Sequence, residues 1–201
     1  ILTERGVLPM GAERVEIGED FVGERAHFRY GGAELFGFLQ APDADARSAR
    51  IAIACPEDSY VHVVTDEAPE IGDRKTTIRL RRGEMAMASV LPYEVSRVQI
   101  EAPASVQAGE RIELHVAVRT RDKLPGTHLV RIGIAPFGGE RIRYYDRLVE
   151  CVGGQGDAYI PLALNERPGV YEVRAFDLLS GQAAVHSIRV EGRAFDWEPG
   201  A

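Results

Sequence analysis

Apolar residues alternate with polar residues in many short segments of this chain. In residues 111–119, RIELHVAVR, isoleucine, leucine and valine occupy every second position. A period of two places such side chains on one face of a β-strand, with the polar side chains on the other face. The same pattern recurs in residues 76–82, 128–134, 170–176 and 186–190, and less regularly in 28–39, 49–54, 60–64 and 85–91. The chain is therefore predicted to be built mainly from strands.

Glycine, proline and aspartate separate almost all of these segments, and no stretch of ten or more residues combines a helical period with helix caps. Short strands at regular spacing, with turn residues between them, are typical of sandwiches and barrels. We predict an all-β fold of two consecutive antiparallel β-sandwiches, the second of them immunoglobulin-like.

The sequence character changes near Val95, where a strand ends at Leu91-Pro92 and a new series begins. This predicts one domain at residues 1–95 and another at 96–201. The second domain is predicted to have strands near residues 97–102, 111–119, 128–136, 141–151, 157–163, 169–177 and 184–191. We expect the strands on either side of Arg167-Pro168-Gly169 to form a hairpin, Gly126 to adopt a positive φ, and residues 151–158 to form a loop.

Composition narrows the classes of partner. The chain has 201 residues, 45% of them hydrophobic, and a formal net charge of -7. Its basic residues form no run that could follow a phosphate backbone, so nucleic acid is not predicted as a partner. No window approaches the roughly 18 apolar residues of a membrane span, and no membrane association is predicted. The sequence gives no prediction of cellular location.

Cysteine and histidine show no metal-binding pattern. Cys55 and Cys151 are far apart in sequence, so they are predicted to be small buried hydrophobic residues rather than a disulfide. The five histidines have no spacing that would converge on zinc, and we expect them at solvated strand or edge positions. No metal site and no cofactor is predicted.

Two groups of residues have the side-chain types that hydrolytic catalysis uses. Ser59, His62 and Asp66 are close in sequence, but an odd separation puts Ser59 and His62 on opposite faces of a strand, which argues against a nucleophile and base. Acidic residues surround the segment YVHVV, namely Glu57, Asp58, Asp66, Glu67, Glu70 and Asp73. A glycosidase needs two carboxylates at a defined separation, which sequence does not give. A hydrolase that uses Glu57 or Asp58 is the least favoured hypothesis.

Aromatic side chains are the candidates for carbohydrate binding. A β-sandwich can bind sugars through exposed aromatic faces, and Tyr144, Tyr145 and Trp197 are the candidate residues. On a regular strand Tyr144 and Tyr145 would point to opposite faces, so only one of them would be exposed. We predict no catalytic residues in this chain.

Two segments resemble a known family. RRGEMAMASVLPYEV at residues 81–95, followed by PLALNERPGVYEVRAFDLLSG at 161–181, resembles the C-terminal β-sandwich region of large bacterial glycoside hydrolases of the β-galactosidase type. The similarity spans roughly residues 28–191. In that family the catalytic glutamates belong to a TIM barrel, and no position here matches them. The resemblance implies a non-catalytic accessory pair of sandwiches that contacts an upstream catalytic domain or a neighbouring subunit. A carbohydrate-binding module, with a polysaccharide as partner, is the alternative.

Overall fold

The computed structural model describes residues 15–64 and 74–192, and these residues form fifteen β-strands. The only helical element among them is a 3₁₀ turn at Arg143–Tyr145. The prediction of an all-β, sandwich-type fold is confirmed. None of the helical structure in these residues has the length and apolar character needed to cross a membrane.

The first sandwich comprises two sheets. Its strands are β1 (Val15–Ile17), β2 (Gly23–Tyr30), β3 (Ala33–Gln40), β4 (Ser48–Ala54), β5 (Tyr60–Val64), β6 (Lys75–Arg81) and β7 (Met85–Leu91). One sheet has the order β1-β4-β6 and the other β2-β3-β7-β5, and all their pairings are antiparallel. Phe36, Phe38, Ile51, Ile53 and Val61 fill the space between the sheets and are essentially inaccessible to solvent.

The second sandwich also has two sheets. Its strands are β8 (Val95–Glu101), β9 (Ser105–Gln107), β10 (Arg111–Thr120), β11 (His128–Pro136), β12 (Arg147–Cys151), β13 (Gln155–Pro161), β14 (Gly169–Asp177) and β15 (Ala183–Glu191). The sheet orders are β13-β10-β8 and β12-β11-β14-β15-β9, and the β15–β9 pair is parallel. The Tyr171 hydroxyl near the start of β14 donates to the Arg167 carbonyl at 3.0 Å. This contact matches the tyrosine corner of immunoglobulin-like folds.

The predicted hairpin at Arg167-Pro168-Gly169 is wrong, because β13 and β14 belong to different sheets. Alternation alone cannot tell a hairpin from a connection that crosses between sheets. The crossing begins with Leu162, which is buried and whose N–H donates to the Glu110 carbonyl at 2.8 Å. Leu164, two residues further along this crossing, is exposed.

Two other local predictions differ from the structure. Gly126 is not among the glycines with positive φ; instead, a Cβ at this position would lie 1.8 Å from the Gly31 carbonyl oxygen, so the close approach requires glycine. Residues 151–158 are not an open loop. Gly153 (φ 59°) and Gly154 (φ 75°) form a two-residue turn of the type that connects tight hairpins, and β13 begins directly after it.

The two sandwiches share buried surface. Along β3 the side chains alternate between two cores: Phe36 and Phe38 pack inside the first sandwich, whereas Ala33 and Leu35 pack with the core residues of the second. Leu91, at the end of β7, also belongs to the second group. The outer face of the four-stranded sheet is thus the surface on which the second sandwich rests, and we call this contact the joint.

Candidate functional site

Three histidines are buried, contrary to the prediction of solvated positions. His27, His62 and His128 are respectively 6%, 3% and 0% exposed. For His128 the sequence held a usable signal, because it lies in register with Val130 and Ile132 on the core face of β11. His62 lies on the outer face of its sheet, and its burial depends on the second sandwich, which no local pattern reveals.

A chain of hydrogen bonds ties the linker to the second sandwich. Tyr93 lies in the linker between β7 and β8, and its hydroxyl is 3.1 Å from Nε2 of His128. Nδ1 of His128 is 2.9 Å from Oδ2 of Asp177, and both of these side chains are fully buried. The Tyr93 hydroxyl also accepts the Gly126 N–H at 2.7 Å. The linker is therefore tied to two strands of the second sandwich.

Asp177 is well satisfied for a buried carboxylate. Besides His128, it accepts hydrogen bonds from the Ser180 hydroxyl and from the Leu179 N–H, the latter at 3.3 Å. Burial raises the pKa of the Tyr93 phenol, which keeps this hydroxyl protonated and able to donate to His128. A buried polar network that is fully paired makes the packing around it specific. Because neither His128 nor Asp177 is accessible to solvent, we assign the hydrogen-bonded Tyr-His-Asp network a structural role rather than a catalytic one. It holds the linker against the second sandwich.

A small cavity of about 110 Å³ lies beside this network. Its wall includes Tyr60 and His62 from the first sandwich, Glu94 from the linker, and Ser180 and Gln182 from the loop between β14 and β15. Next to it, the Ser89 hydroxyl donates to the Leu179 carbonyl across the joint. Within the described ranges, neither ring nitrogen of His62 has a hydrogen-bond partner.

A larger groove, of about 600 Å³, lies on the outer face of the sheet formed by β8, β10 and β13. Glu101, His115 and Asp157 form one row across the three strands, and Glu113 and Tyr159 form the adjacent row. Nδ1 of His115 is 2.7 Å from the Asp157 carboxylate, which fixes the orientation of the imidazole. The groove thus combines an aromatic ring, an imidazole and three carboxylates.

Tyr159 is the exposed aromatic residue of the groove, with 57% of its surface accessible. The Arg111 guanidinium lies 5.7 Å from the ring centroid and 3.2 Å from the Glu113 carboxylate. This arrangement stabilises the ring orientation through a cation–π contact. Sequence reasoning missed Tyr159, although its alternation with Ile160 places it on the outer face of β13.

Of the three predicted carbohydrate-binding residues, the structure describes Tyr144 and Tyr145. Tyr144 is 69% exposed, whereas Tyr145 is buried, and their ring centroids are 4.3 Å apart in the 3₁₀ turn rather than on a strand. The Tyr145 hydroxyl donates to Glu166 at 2.5 Å and accepts the Ala163 N–H at 2.8 Å. Burial and the Glu166 carboxylate raise its pKa. Trp197 lies outside the described residues.

The residues of the two catalytic hypotheses lie only partly within the described part of the chain. Glu57 and Asp58 are exposed in the loop before β5, while Asp66, Glu67, Glu70 and Asp73 lie outside the described residues. Ser59 precedes β5, and its backbone N–H donates to the Pro56 carbonyl at 3.0 Å. In residues 15–64 and 74–192 no three histidine, cysteine or acidic side chains are grouped closely enough to hold a metal ion.

The two cysteines differ in environment. Cys151 is fully buried, and burial raises the pKa of its thiol to about 11. Cys55 is partly exposed, and its thiol lies 3.0 Å from the Ser59 carbonyl and 3.1 Å from the Arg74 carbonyl. Neither cysteine is in a disulfide.

Comparison with known proteins gives a fold-level likeness at most. No protein-family model and no curated protein matches the chain. Among solved structures, the superoxide reductase (neelaredoxin) from Ignicoccus hospitalis is similar over 48% of this chain and 82% of its own, with 17% identity and a TM-score of 0.33. A likeness at that level carries no argument about activity.

Proposed function

We propose that this chain is a non-catalytic accessory pair of β-sandwiches in a larger carbohydrate-active enzyme, where it contacts a catalytic domain or a neighbouring subunit. The observation that carries the proposal is an apolar surface beside the joint. The outer face of the four-stranded sheet is mostly apolar, with Glu24, His62 and Ser89 as polar exceptions, and the second sandwich covers only one end of it. Leu39 and Met85, at the other end, are 37% and 74% exposed.

At this end of the face Leu39 and Met85 are exposed, while Gly37, Val64 and Met87 beside them are half-buried and Met87 also packs against the core of the second sandwich. Leu39 pairs with Met85, Gly37 with Met87, and Met87 with Val64, so all five residues lie on the same side of the sheet. We call these residues the sheet patch. Apolar side chains grouped on a sheet face that is elsewhere a buried contact are typical of a docking surface. The resemblance to β-galactosidase-type enzymes suggests the occupant, a folded catalytic domain with an apolar surface of its own.

The test is association with a purified TIM-barrel catalytic domain of the β-galactosidase type from the same genome, measured by sedimentation velocity. The intact chain is expected to bind, and Met85→Glu combined with Leu39→Glu is expected to abolish binding. Leu148→Glu is a matched control, because Leu148 is 63% exposed on the edge strand of the second sandwich. Equal binding by the patch variant and the control would remove the sheet patch as the docking surface, and no binding by the intact chain would count against the accessory role.

A second candidate function is carbohydrate binding in the groove of the second sandwich. Tyr159 offers an aromatic face beside the Glu101 and Asp157 carboxylates, and such side chains can stack on a sugar ring and accept its hydroxyl hydrogens. Affinity electrophoresis against a polysaccharide panel tests this candidate. Retardation that Tyr159→Ala abolishes and Tyr144→Ala preserves would favour the groove. Retardation abolished only by Tyr144→Ala or Trp197→Ala would favour a binding site at that residue instead of the groove. No retardation would reject carbohydrate binding.

A further inference from the structure

His62 is a polar residue in an apolar contact. It pairs with Ser89 across β5 and β7, on the sheet face that rests on the second sandwich. The Ser89 hydroxyl finds an acceptor in the Leu179 carbonyl of the second sandwich, whereas the His62 ring finds no partner among the described residues. A buried imidazole without a partner is tolerated as the neutral form, but its protonated form would be a buried charge with no hydrogen-bond acceptor.

We propose that His62 makes the joint between the two sandwiches open more readily in mildly acidic solution. In the closed joint the ring is desolvated, whereas in an opened joint it reaches water and takes up a proton at its ordinary pKa of about 6.5. The cavity of about 110 Å³ whose wall includes His62 leaves space for water beside the ring. Protonation therefore stabilises the open arrangement relative to the closed one.

The charged surroundings oppose this effect only in part. The titratable groups around His62 are Tyr60 on β5, Tyr93 and Glu94 in the linker, His128 on β11 and Asp177 at the end of β14. Burial lowers the pKa of the His62 imidazole, and the Asp177 carboxylate counteracts this to a smaller extent. Asp177 is already hydrogen-bonded to His128, and Glu94 is 3.1 Å from the Arg121 guanidinium, so both carboxylates are engaged elsewhere.

The direction of the pH dependence follows from the lowered pKa. Above about pH 6.5 the open and closed joints bind the same number of protons at His62, and the closed joint has its full stability. As the pH falls below this value, only the open joint takes up the proton. The opening equilibrium then rises by up to tenfold per pH unit, until the pH reaches the lowered pKa.

Hydrogen exchange of individual amides, followed by NMR and corrected for intrinsic exchange rates, reports directly on the joint. The Thr127 N–H donates to the carbonyl of Gly31 in the first sandwich at 2.9 Å, so this amide loses its acceptor when the joint opens. We expect its protection to fall by up to tenfold per unit below pH 6.5 in the native chain. Strand amides inside the second sandwich should keep their protection.

His62→Leu keeps the packing and removes the titration, so its Thr127 amide should show no such fall. His115→Gln, which replaces an exposed histidine, should behave like the native chain. An equal fall in His62→Leu and the native chain would assign the effect to another group. Constant protection in the native chain would overturn the proposal. NMR titration of His62 in the native chain is an independent check that needs no variant; a pKa at or above 6.5 would also overturn it.

Discussion

His128 and Asp177 show how much depends on single buried polar residues in this chain. Each is fully inaccessible, and they are hydrogen-bonded to each other between the neighbouring strands β11 and β14. A buried acceptor that loses its donor retains the full cost of its desolvation, so the pair is costly to break although its net contribution to stability is modest. Tyr93 extends this dependence into the linker.

Replacing His128 with leucine is expected to lower the free energy of unfolding by about 3 kcal/mol, because the Asp177 carboxylate stays buried with fewer donors. Urea denaturation at pH 7.5 measures the change. The matched variant His115→Gln alters an exposed histidine and is expected to change stability by under about 0.5 kcal/mol. Similar losses of unfolding free energy in the two variants would contradict a large cost of breaking the buried His128–Asp177 pair.

The cysteines are expected to differ sharply in reactivity. At pH 8 a thiol with a pKa of about 11 is ionised in roughly one molecule in a thousand, and Cys151 is buried as well. A maleimide reagent should therefore modify Cys55 in the folded protein and both cysteines in guanidinium, as counted by mass spectrometry. In Cys55→Ser, rapid modification of the folded protein would contradict the low reactivity expected of Cys151.

At the scale of strands and turns, alternation predicted the fold class and most strand positions, including those of β10, β11 and β14. It did not predict how strands divide between sheets, because a crossing connection and a hairpin leave the same local pattern. The burial of His62 and the position of Gly126 were also beyond it, since both depend on contacts between residues from different sandwiches. The alternation of Tyr159 with Ile160 is enough to predict an outward-facing ring. The adjacent tyrosines Tyr144 and Tyr145 are the more conspicuous aromatic residues in the sequence.

Gly126→Ala tests the close approach of the turn before β11 to the first sandwich. An added Cβ would lie 1.8 Å from the Gly31 carbonyl oxygen, so the turn must move and the Tyr93 contact must lengthen. We expect a loss of about 3 kcal/mol in unfolding free energy, in the range of severe overpacking. Gly138→Ala is the control: it has a positive φ but open space, and about 1 kcal/mol is expected. A loss at Gly126 no larger than the loss at Gly138 would contradict the need for glycine at this contact.

At the scale of the whole molecule, the shared buried surface predicts cooperative unfolding. Ala33, Leu35 and Leu91 of the first sandwich pack with the core of the second, so neither sandwich can unfold without exposing apolar surface on the other. Differential scanning calorimetry at pH 7.5 should give one transition, with equal calorimetric and van't Hoff enthalpies. Two resolved transitions would indicate sandwiches that are stable independently.

The parallel pairing of β9 with β15 has a consequence for how the chain folds as it is synthesised. Ser105 pairs with Arg189, so the sheet that contains β9 is completed only by the last strand of the second sandwich. Contacts between residues so distant in sequence form slowly. While the ribosome is still producing β10 to β15, the apolar outer face of the first sandwich has no second sandwich to cover it. During that interval, nascent chains on neighbouring ribosomes can associate through the same face, so the yield of folded protein should fall when elongation is slowed and rise when trigger-factor-like chaperones are abundant.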